Sequence, residues 1–214
     1  MQNQAFIIAR EGFKFIFISL ALTLMTLAFG FSFLAFLFLG LTLFIISFFR
    51  NPNRTPPTVE KAILSPADGK ICQIEDVYEP KFLNEKRKRV SIFMSVFNCH
   101  VNRFPFEGKV LEMKYHPGKF HIASVDKASE LNEQHAYFIE DQAEKKYVLV
   151  QIAGWVARRI VSYVQPGTTL QAGQRFGIIQ FGSRVDFYLP LSVHLHVKVG
   201  DRVKAGLSVL GTSL

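Results

Sequence analysis

The sequence predicts a mainly β protein, in which an antiparallel β domain follows an apolar helical segment at the N-terminus. Three observations support this fold class. No charged residue occurs in the 35 positions from Phe15 to Phe49. Short runs rich in Val, Ile and Phe, separated by glycine, then recur along the chain, as is typical of half-buried or core strands. Helical periodicity is weak beyond the apolar run.

The apolar run predicts a membrane anchor over residues 1–50. As one straight helix it would be about 50 Å long, against roughly 30 Å for the hydrocarbon core of a bilayer. Two spans that turn near Gly30-Phe31-Ser32 fit better. Basic residues on both sides of the run favour a cytoplasmic location for both ends; they are Arg10, Lys14, Arg50 and Arg54. We therefore expect a transmembrane helical hairpin rather than a cleaved signal peptide, whose apolar core is shorter.

Residues 51–57 predict an extended linker, because their prolines cannot continue a helix. The β domain then spans residues 58–214. Six runs within it predict strands: Lys70–Val77, Val90–Phe97, Lys109–Tyr115, Tyr147–Ile152, Arg158–Val164 and Phe176–Gln180.

An internal repeat specifies the β domain further. The pattern V-x-x-G-x-x-L-x-A-G begins at Val164, and V-x-x-G-x-x-V-x-A-G begins 33 positions later at Val197. Each copy predicts a strand, a turn and a strand, with glycines at positive φ. The pattern resembles the half-motifs of biotinyl and lipoyl carrier domains, which implies a barrel-sandwich-like antiparallel β domain. Carriers display a modifiable lysine between the two halves, whereas this chain has Gly182-Ser183 there.

The net charge of +8 requires an anionic partner or surface. Nucleic acid is not expected, since no clustered basic and aromatic face occurs outside the flanks of the anchor. An anionic membrane is the better candidate, because the basic residues that flank the anchor would lie at its surface. Each basic residue close to such a surface contributes about 1 kcal/mol to membrane binding. The spacing of Cys72 and Cys99 predicts no metal site.

Four short motifs could carry chemistry, although each has an ordinary structural explanation when it is taken alone. Asp68-Gly69 and Gly182-Ser183 are common turn dipeptides. A single histidine such as His100 is more often a hydrogen-bonded structural residue than a catalyst. The pair Arg158-Arg159 would usually lie on a solvated face, although arginine can also bind phosphate through two hydrogen bonds.

Taken in order, these motifs resemble the phosphatidylserine decarboxylases, in their shorter bacterial form. The resemblance starts at residues 48–52 and ends at residues 181–190, so it covers essentially the whole β domain. Each motif is weak by itself, and the strength lies in their number and order. They are Ser65–Lys70, Phe93–Pro105, Pro117–Phe120, Asp126–Glu130, Gln151–Ile160 and Phe181–Pro190.

The resemblance implies a proenzyme that cuts itself between Gly182 and Ser183. The Oγ atom of Ser183 would attack the carbonyl of Gly182, which converts the amide to an ester. β-Elimination would then leave a dehydroalanine at position 183, and its hydrolysis would give a covalent pyruvoyl group, which is the cofactor. The products would be a β chain of residues 1–182 and an α chain of residues 183–214, which remain associated. The pyruvoyl group would form a Schiff base with phosphatidylserine and act as the electron sink for decarboxylation to phosphatidylethanolamine.

Further roles follow for residues outside the Gly-Ser motif. The resemblance implies that Asp68 serves self-cleavage. We assign His100 to the substrate carboxylate or to proton donation, because imidazole titrates near neutral pH. Arg158 and Arg159 are candidates for binding the substrate phosphate.

The chain departs from the longer members of the family at position 103. Those members carry a second histidine there that serves self-cleavage, whereas this chain has Arg103. The base for self-cleavage is therefore open. His194 or His196 could replace it, although their alternation fits two ordinary surface histidines equally well.

A phospholipid substrate favours the cell inner membrane, with the catalytic domain on the cytoplasmic face. Extracting the lipid would cost about 0.8 kcal/mol for each methylene exposed to water. The sequence leaves a homo-oligomer open. The alternative function is a non-catalytic, membrane-anchored adaptor of the biotinyl/lipoyl-like type, which explains the repeat and the anchor but leaves the ordered motifs as coincidence.

Overall fold

The computed structural model describes residues 6–118, 132–154, 159–180 and 183–213. It divides into two compact units, Met1–Asn53 and Arg54–Leu214. The boundary between them falls inside the segment 51–57 that the sequence predicts as a linker.

The N-terminal unit contains two apolar helices, α1 (Arg10–Ala28) and α2 (Ser32–Phe48). Gly30 adopts a φ of +78° in the turn between them, close to the position predicted for a turn. The backbone N–H of Ala9 donates to the carbonyl of Phe49 at 2.8 Å. This bond joins the start of α1 to the end of α2, so the two helices run antiparallel.

The helices of this unit expose apolar side chains and bury polar ones. Phe17 and Phe33 are 68% and 73% exposed, whereas Ser19 and Thr23 are buried. The hydroxyl of Thr23 donates to the carbonyl of Ser19 at 2.9 Å, within its own helix. Such a distribution suits an apolar environment better than water. By length and composition α1 could cross a membrane, and α2, with 17 residues, is shorter.

The second unit is built from β-strands, and no α-helix occurs in its described residues. Every described pair of neighbouring strands is antiparallel. The strands are β1 (Ala62–Leu64), β2 (Gly69–Glu79), β3 (Glu85–Met94), β4 (Val101–Arg103), β5 (Gly108–His116), β6 (Gln134–Asp141), β7 (Lys146–Ala153), β8 (Arg159–Ser162), β9 (Thr169–Leu170), β10 (Arg175–Gln180), β11 (Ser183–Leu189), β12 (His194–Leu195), β13 (Arg202–Val203) and β14 (Val209–Thr212).

The strands form three sheets. The largest has the order β13-β2-β3-β11-β7-β6-β5-β9, and the two small sheets have the orders β4-β10-β8 and β1-β14-β12. Residues of the large sheet and of β4-β10-β8 share one hydrophobic core, which includes Phe187 of β11 and Ile179 of β10. This packing places the β4-β10-β8 sheet against one face of the large sheet, and Asn102 of β4 is hydrogen bonded to Gln151 of β7.

Strand β11 lies in the middle of the large sheet, where it is hydrogen bonded to β3 and to β7. Its alternate residues point to opposite faces. Val185, Phe187 and Leu189 enter the main core on one face. Arg184, Asp186 and Tyr188 are buried on the other face.

The two repeated segments lie at the two edges of the large sheet, where β13 pairs with β2 and β9 pairs with β5. The repeat glycines adopt positive φ, as predicted. The φ angles are +88° at Gly167, +75° at Gly173, +100° at Gly200 and +69° at Gly206. The described strands form no closed barrel. The mainly antiparallel β class is therefore confirmed, and the barrel-sandwich likeness stays a prediction.

Candidate active site

Ser183 is the first residue of β11 and is completely buried. In the strand register it lies opposite Met94 of β3 and Ala153 of β7. Its hydroxyl donates to the Sδ atom of Met94 at 3.3 Å. A thioether is a weak acceptor and does not take up a proton at neutral pH. Met94 can therefore orient the Ser183 hydroxyl but cannot be its base. Gly182 lies outside the described residues.

His100 is buried immediately before β4. Its Nδ1 atom lies 3.0 Å from the carbonyl oxygen of Asn98. Because a carbonyl can only accept, Nδ1 carries a proton and is the donor in this bond. The carbonyl of His100 accepts from the N–H of Ile179 at 3.3 Å. His100 is thus held beside β10, next to a residue four positions before Ser183.

Asp68 directly precedes β2 at the end of the large sheet where β11 begins. Only β3 separates β2 from β11, so the two strands are about 10 Å apart at the usual strand spacing. The carboxylate accepts two bonds from Arg54, at 2.5 and 2.8 Å, and a third from the N–H of Ala205 at 2.7 Å. The structure thus places Asp68 at the end of the sheet where β11 begins, with its carboxylate bound to Arg54.

Arg103, at the position of the expected histidine, is buried in β4 and donates to the carbonyl of Gly173 at 2.8 Å. Burial, together with the charges of Arg175 and Arg54, lowers the pKa of Arg103 to about 10. A group with this pKa is still protonated at neutral pH. Arg103 therefore cannot replace the histidine as a proton acceptor.

The paired arginines are only partly placed. Arg158 lies outside the described residues. Arg159 is exposed at the start of β8 and pairs with Gln180, the last residue of β10. It therefore lies near the chain segment that leads to Ser183, with its side chain accessible.

His194 and His196 are both exposed. Their rings contact each other with centroids 5.1 Å apart. Nε2 of His196 lies 3.3 Å from the hydroxyl of Thr212. These are the features of two surface histidines. Only His194 belongs to a strand, β12, and that strand is part of a small sheet that does not contain Ser183.

The sequence did not indicate a group of buried polar residues next to Ser183. Asn102 donates from Nδ2 to Sδ of Met94 at 3.7 Å, and its Oδ1 accepts from Nε2 of Gln151 at 2.7 Å. Oε1 of Gln151 accepts from the hydroxyl of Tyr137 at 2.7 Å. The available signal was weak: Gln151 is one polar residue in the otherwise apolar run 147–153.

Comparison with known proteins identifies the family. The family described as phosphatidylserine decarboxylase matches residues 41–211. The phosphatidylserine decarboxylase proenzyme of Syntrophotalea carbinolica is 47% identical over 211 residues, which cover 99% of each chain. The proenzymes of the same name from Ralstonia nicotianae and Syntrophus aciditrophicus are 46% and 48% identical. Their alignments cover 95% and 80% of this chain and 94% and 80% of theirs. The chain therefore belongs to the phosphatidylserine decarboxylase family.

Proposed function

We propose that this chain is a proenzyme that cuts itself between Gly182 and Ser183 and then decarboxylates phosphatidylserine to phosphatidylethanolamine and CO2. The observation that carries the proposal is the position of Ser183. In a member of this family, the serine of the Gly-Ser motif is buried at the start of a central strand, and its hydroxyl is oriented by a group that is not basic. The adaptor alternative has no comparable support.

Self-cleavage begins with attack of Ser183 Oγ on the carbonyl carbon of Gly182. A C–O bond forms, the C–N bond breaks, and the proton lost by Oγ ends on the Ser183 nitrogen, so the amide becomes an ester. We assign Asp68 to this stage. Both oxygens of its carboxylate accept hydrogen bonds from Arg54. We therefore expect the negative charge of Asp68 to offset the positive charge of Arg54 near Ser183, and we do not expect Asp68 to act as a free base. Elimination from the ester then separates the two chains.

The site fits a pyruvoyl group at position 183. The position is completely buried, which protects a reactive carbonyl from water, and the neighbouring Met94 sulfur offers no acid or base. When present, the group supplies an electron sink for the pair released with CO2. His100 would hold the substrate carboxylate or donate the proton to the α-carbon through Nε2, because Nδ1 is already bonded to the carbonyl of Asn98. Either task requires a proton on Nε2 as well as on Nδ1. Arg158 and Arg159 would bind the lipid phosphate.

The two products would stay together because the α chain is part of the sheets. Residues 183–189 are hydrogen bonded to strands on both sides. Further along, β13 pairs with β2, and β14 pairs with β1. Cutting one peptide bond at the start of β11 leaves these ladders unchanged.

We further propose that α1 and α2 hold the enzyme at the cell inner membrane, with the β domain on the cytoplasmic face. The apolar surface of both helices supports this proposal, as do the basic residues at both ends of the apolar run. An enzyme held in this way meets the lipid headgroup without extracting the lipid.

Intact mass and denaturing electrophoresis test the proposal. The purified protein should contain a 32-residue fragment, residues 183–214, with a carbonyl in place of its terminal amine. Ser183→Ala should remain uncut. His100→Ala should be cut but should decarboxylate far more slowly, whereas the exposed control His194→Ala should match the parent. An uncut parent chain, or undiminished activity in cut His100→Ala, would contradict the assignment.

A further inference from the structure

A continuous row of buried polar side chains ends at the sulfur atom that Ser183 contacts. Tyr137, Gln151 and Asn102 are each at most 1% exposed. The two bonds between them are both 2.7 Å long. Asn102 lies 3.7 Å from the Met94 sulfur, and the Ser183 hydroxyl lies 3.3 Å from the same atom. The row therefore connects the interior of the large sheet to the immediate surroundings of Ser183.

The donors in this row all point toward Ser183. Burial raises the pKa of Tyr137, so its hydroxyl keeps its proton and donates to Oε1 of Gln151. Gln151 must then donate from Nε2 to Oδ1 of Asn102. With Oδ1 engaged in this way, the N–H groups of Asn102 are directed at the Met94 sulfur. Hydrogen bonds arranged head to tail polarise one another, which strengthens the last donor.

The Asn102 N–H group is a stronger donor than its partner requires. A thioether sulfur is a weak acceptor, and the separation of 3.7 Å is long. The surroundings are buried, and a fixed donor is worth more there than in water. Fixed amide donors beside a developing negative oxygen are the usual means of stabilising the intermediate of acyl transfer.

We propose that Asn102 donates a hydrogen bond to the oxyanion that forms when Ser183 Oγ adds to the Gly182 carbonyl. In this step the C–O bond forms and the carbonyl π pair moves onto the Gly182 oxygen. As that pair returns, the C–N bond breaks and the Ser183 nitrogen takes the proton released by Oγ. Asn102 is the catalytic residue in this proposal, and Gln151 and Tyr137 are positioning residues. The inference rests on the self-cleavage proposed above.

Two substitutions separate the roles in this row. Asn102→Leu keeps the number and branching of the side-chain heavy atoms but removes the donor, and it should slow self-cleavage by about 10²–10³-fold, as expected for loss of one oxyanion donor. Tyr137→Phe removes the bond that orients Gln151, together with a contact to Ser162, and it should slow self-cleavage by roughly five- to tenfold. Tyr147→Phe is the matched control, because its buried hydroxyl donates to Asp141 at 2.9 Å, outside the row. It should cut at the parental rate.

The rate is measured on full-length precursor made by cell-free synthesis in detergent or vesicles, with samples denatured at intervals. Hydroxylamine is added to parallel samples, because it cleaves an ester but not the original amide. A block at the first step leaves precursor that hydroxylamine does not cut. Each substitution is also combined with Ser183→Ala, and the melting temperature of these uncut chains reports folding. If Asn102 had a purely structural role, the variants that cut more slowly would also melt at lower temperatures, and the two effects would increase together.

The proposal is overturned if Asn102→Leu folds and cuts at the parental rate, or if it accumulates an ester that hydroxylamine cleaves. Where Asn102→Leu does not fold, Tyr137→Phe decides, and a rate equal to that of Tyr147→Phe overturns the proposal. A parent chain that never cuts would instead contradict the proposed function, so the two failures are distinguishable.

Discussion

Arg184 and Asp186 form a buried ion pair immediately after Ser183, and breaking it should strongly destabilise the fold. Nη2 of Arg184 lies 2.8 Å from Oδ2 of Asp186, and both side chains are 1% exposed. Nε of Arg184 and Oδ1 of Asp186 have no hydrogen-bond partner among the described residues. A buried charge that loses its partner retains its desolvation cost without the compensating attraction. We therefore predict large losses for Arg184→Met and for Asp186→Leu.

Removing one member of a buried pair costs about 3–5 kcal/mol. For Arg184→Met we expect a loss of about 3 kcal/mol in the free energy of unfolding, because Arg89 and Lys81 also attract Asp186. For Asp186→Leu we expect a loss of about 5 kcal/mol in the free energy of unfolding. The buried Arg184 then has no counterion among the described residues, and Arg89 and Lys81 also lose the carboxylate that attracts them. The double variant should recover most of either loss, since well-packed apolar residues replace a buried pair at little cost.

Urea unfolding followed by circular dichroism provides the measurement, on full-length chains that carry Ser183→Ala so that one uncut chain unfolds. Lys88→Met is the control, because Lys88 forms a more exposed pair with Asp76 at 3.0 Å, and it should lose less than about 1 kcal/mol. Losses as small as this in both single variants, or additive losses in the double variant, would refute the reasoning.

Further predictions concern the repeat glycines and one half-buried histidine. Gly200→Ala should cost about 1 kcal/mol, because φ is +100° although no atom lies within 4 Å of the added Cβ. Gly206→Ala should cost more, since its Cβ would lie 2.9 Å from Cδ of Arg103 and 3.1 Å from Cα of Gly173; equal melting temperatures would contradict this order. Burial lowers the pKa of His135 from its usual 6.5, so the unfolded chain binds this proton more readily. The resulting stability is present above pH 6.5 and is lost as the pH falls. Melting temperatures should therefore drop less steeply with acidification for His135→Phe than for the parent, and parallel curves would show that His135 contributes nothing.

Residue type and local order predicted much of the fold. The six predicted runs correspond to β2, β3, β5, β7, β8 and β10, because their Val, Ile and Phe residues supply the core. The repeat glycines were predicted at positive φ for the same local reason, since only glycine adopts these angles without strain. Strand β6 was not predicted. It combines buried Ala136 and Ile139 with half-buried polar residues such as His135 and Glu140, and no clear alternation results.

The surroundings of the candidate site residues were less predictable. Asp68 and Arg54 are 14 positions apart, and the sequence around them does not indicate that the linker arginine donates two hydrogen bonds to the Asp68 carboxylate. The departure at Arg103 was visible in the sequence. Its contact with Gly173 and the neighbouring charge of Arg175 were not.

By itself, the sequence determined the apolar N-terminal segment, the antiparallel β class and the candidate nucleophile Ser183, because each depends on residue type and neighbours along the chain. Only the tertiary structure decided which groups surround that serine. Met94 reaches it from β3, and Asn102 reaches the same sulfur from a different sheet. Such contacts depend on strand register and on the packing of one sheet against another, and both are set by the whole core rather than by any local motif.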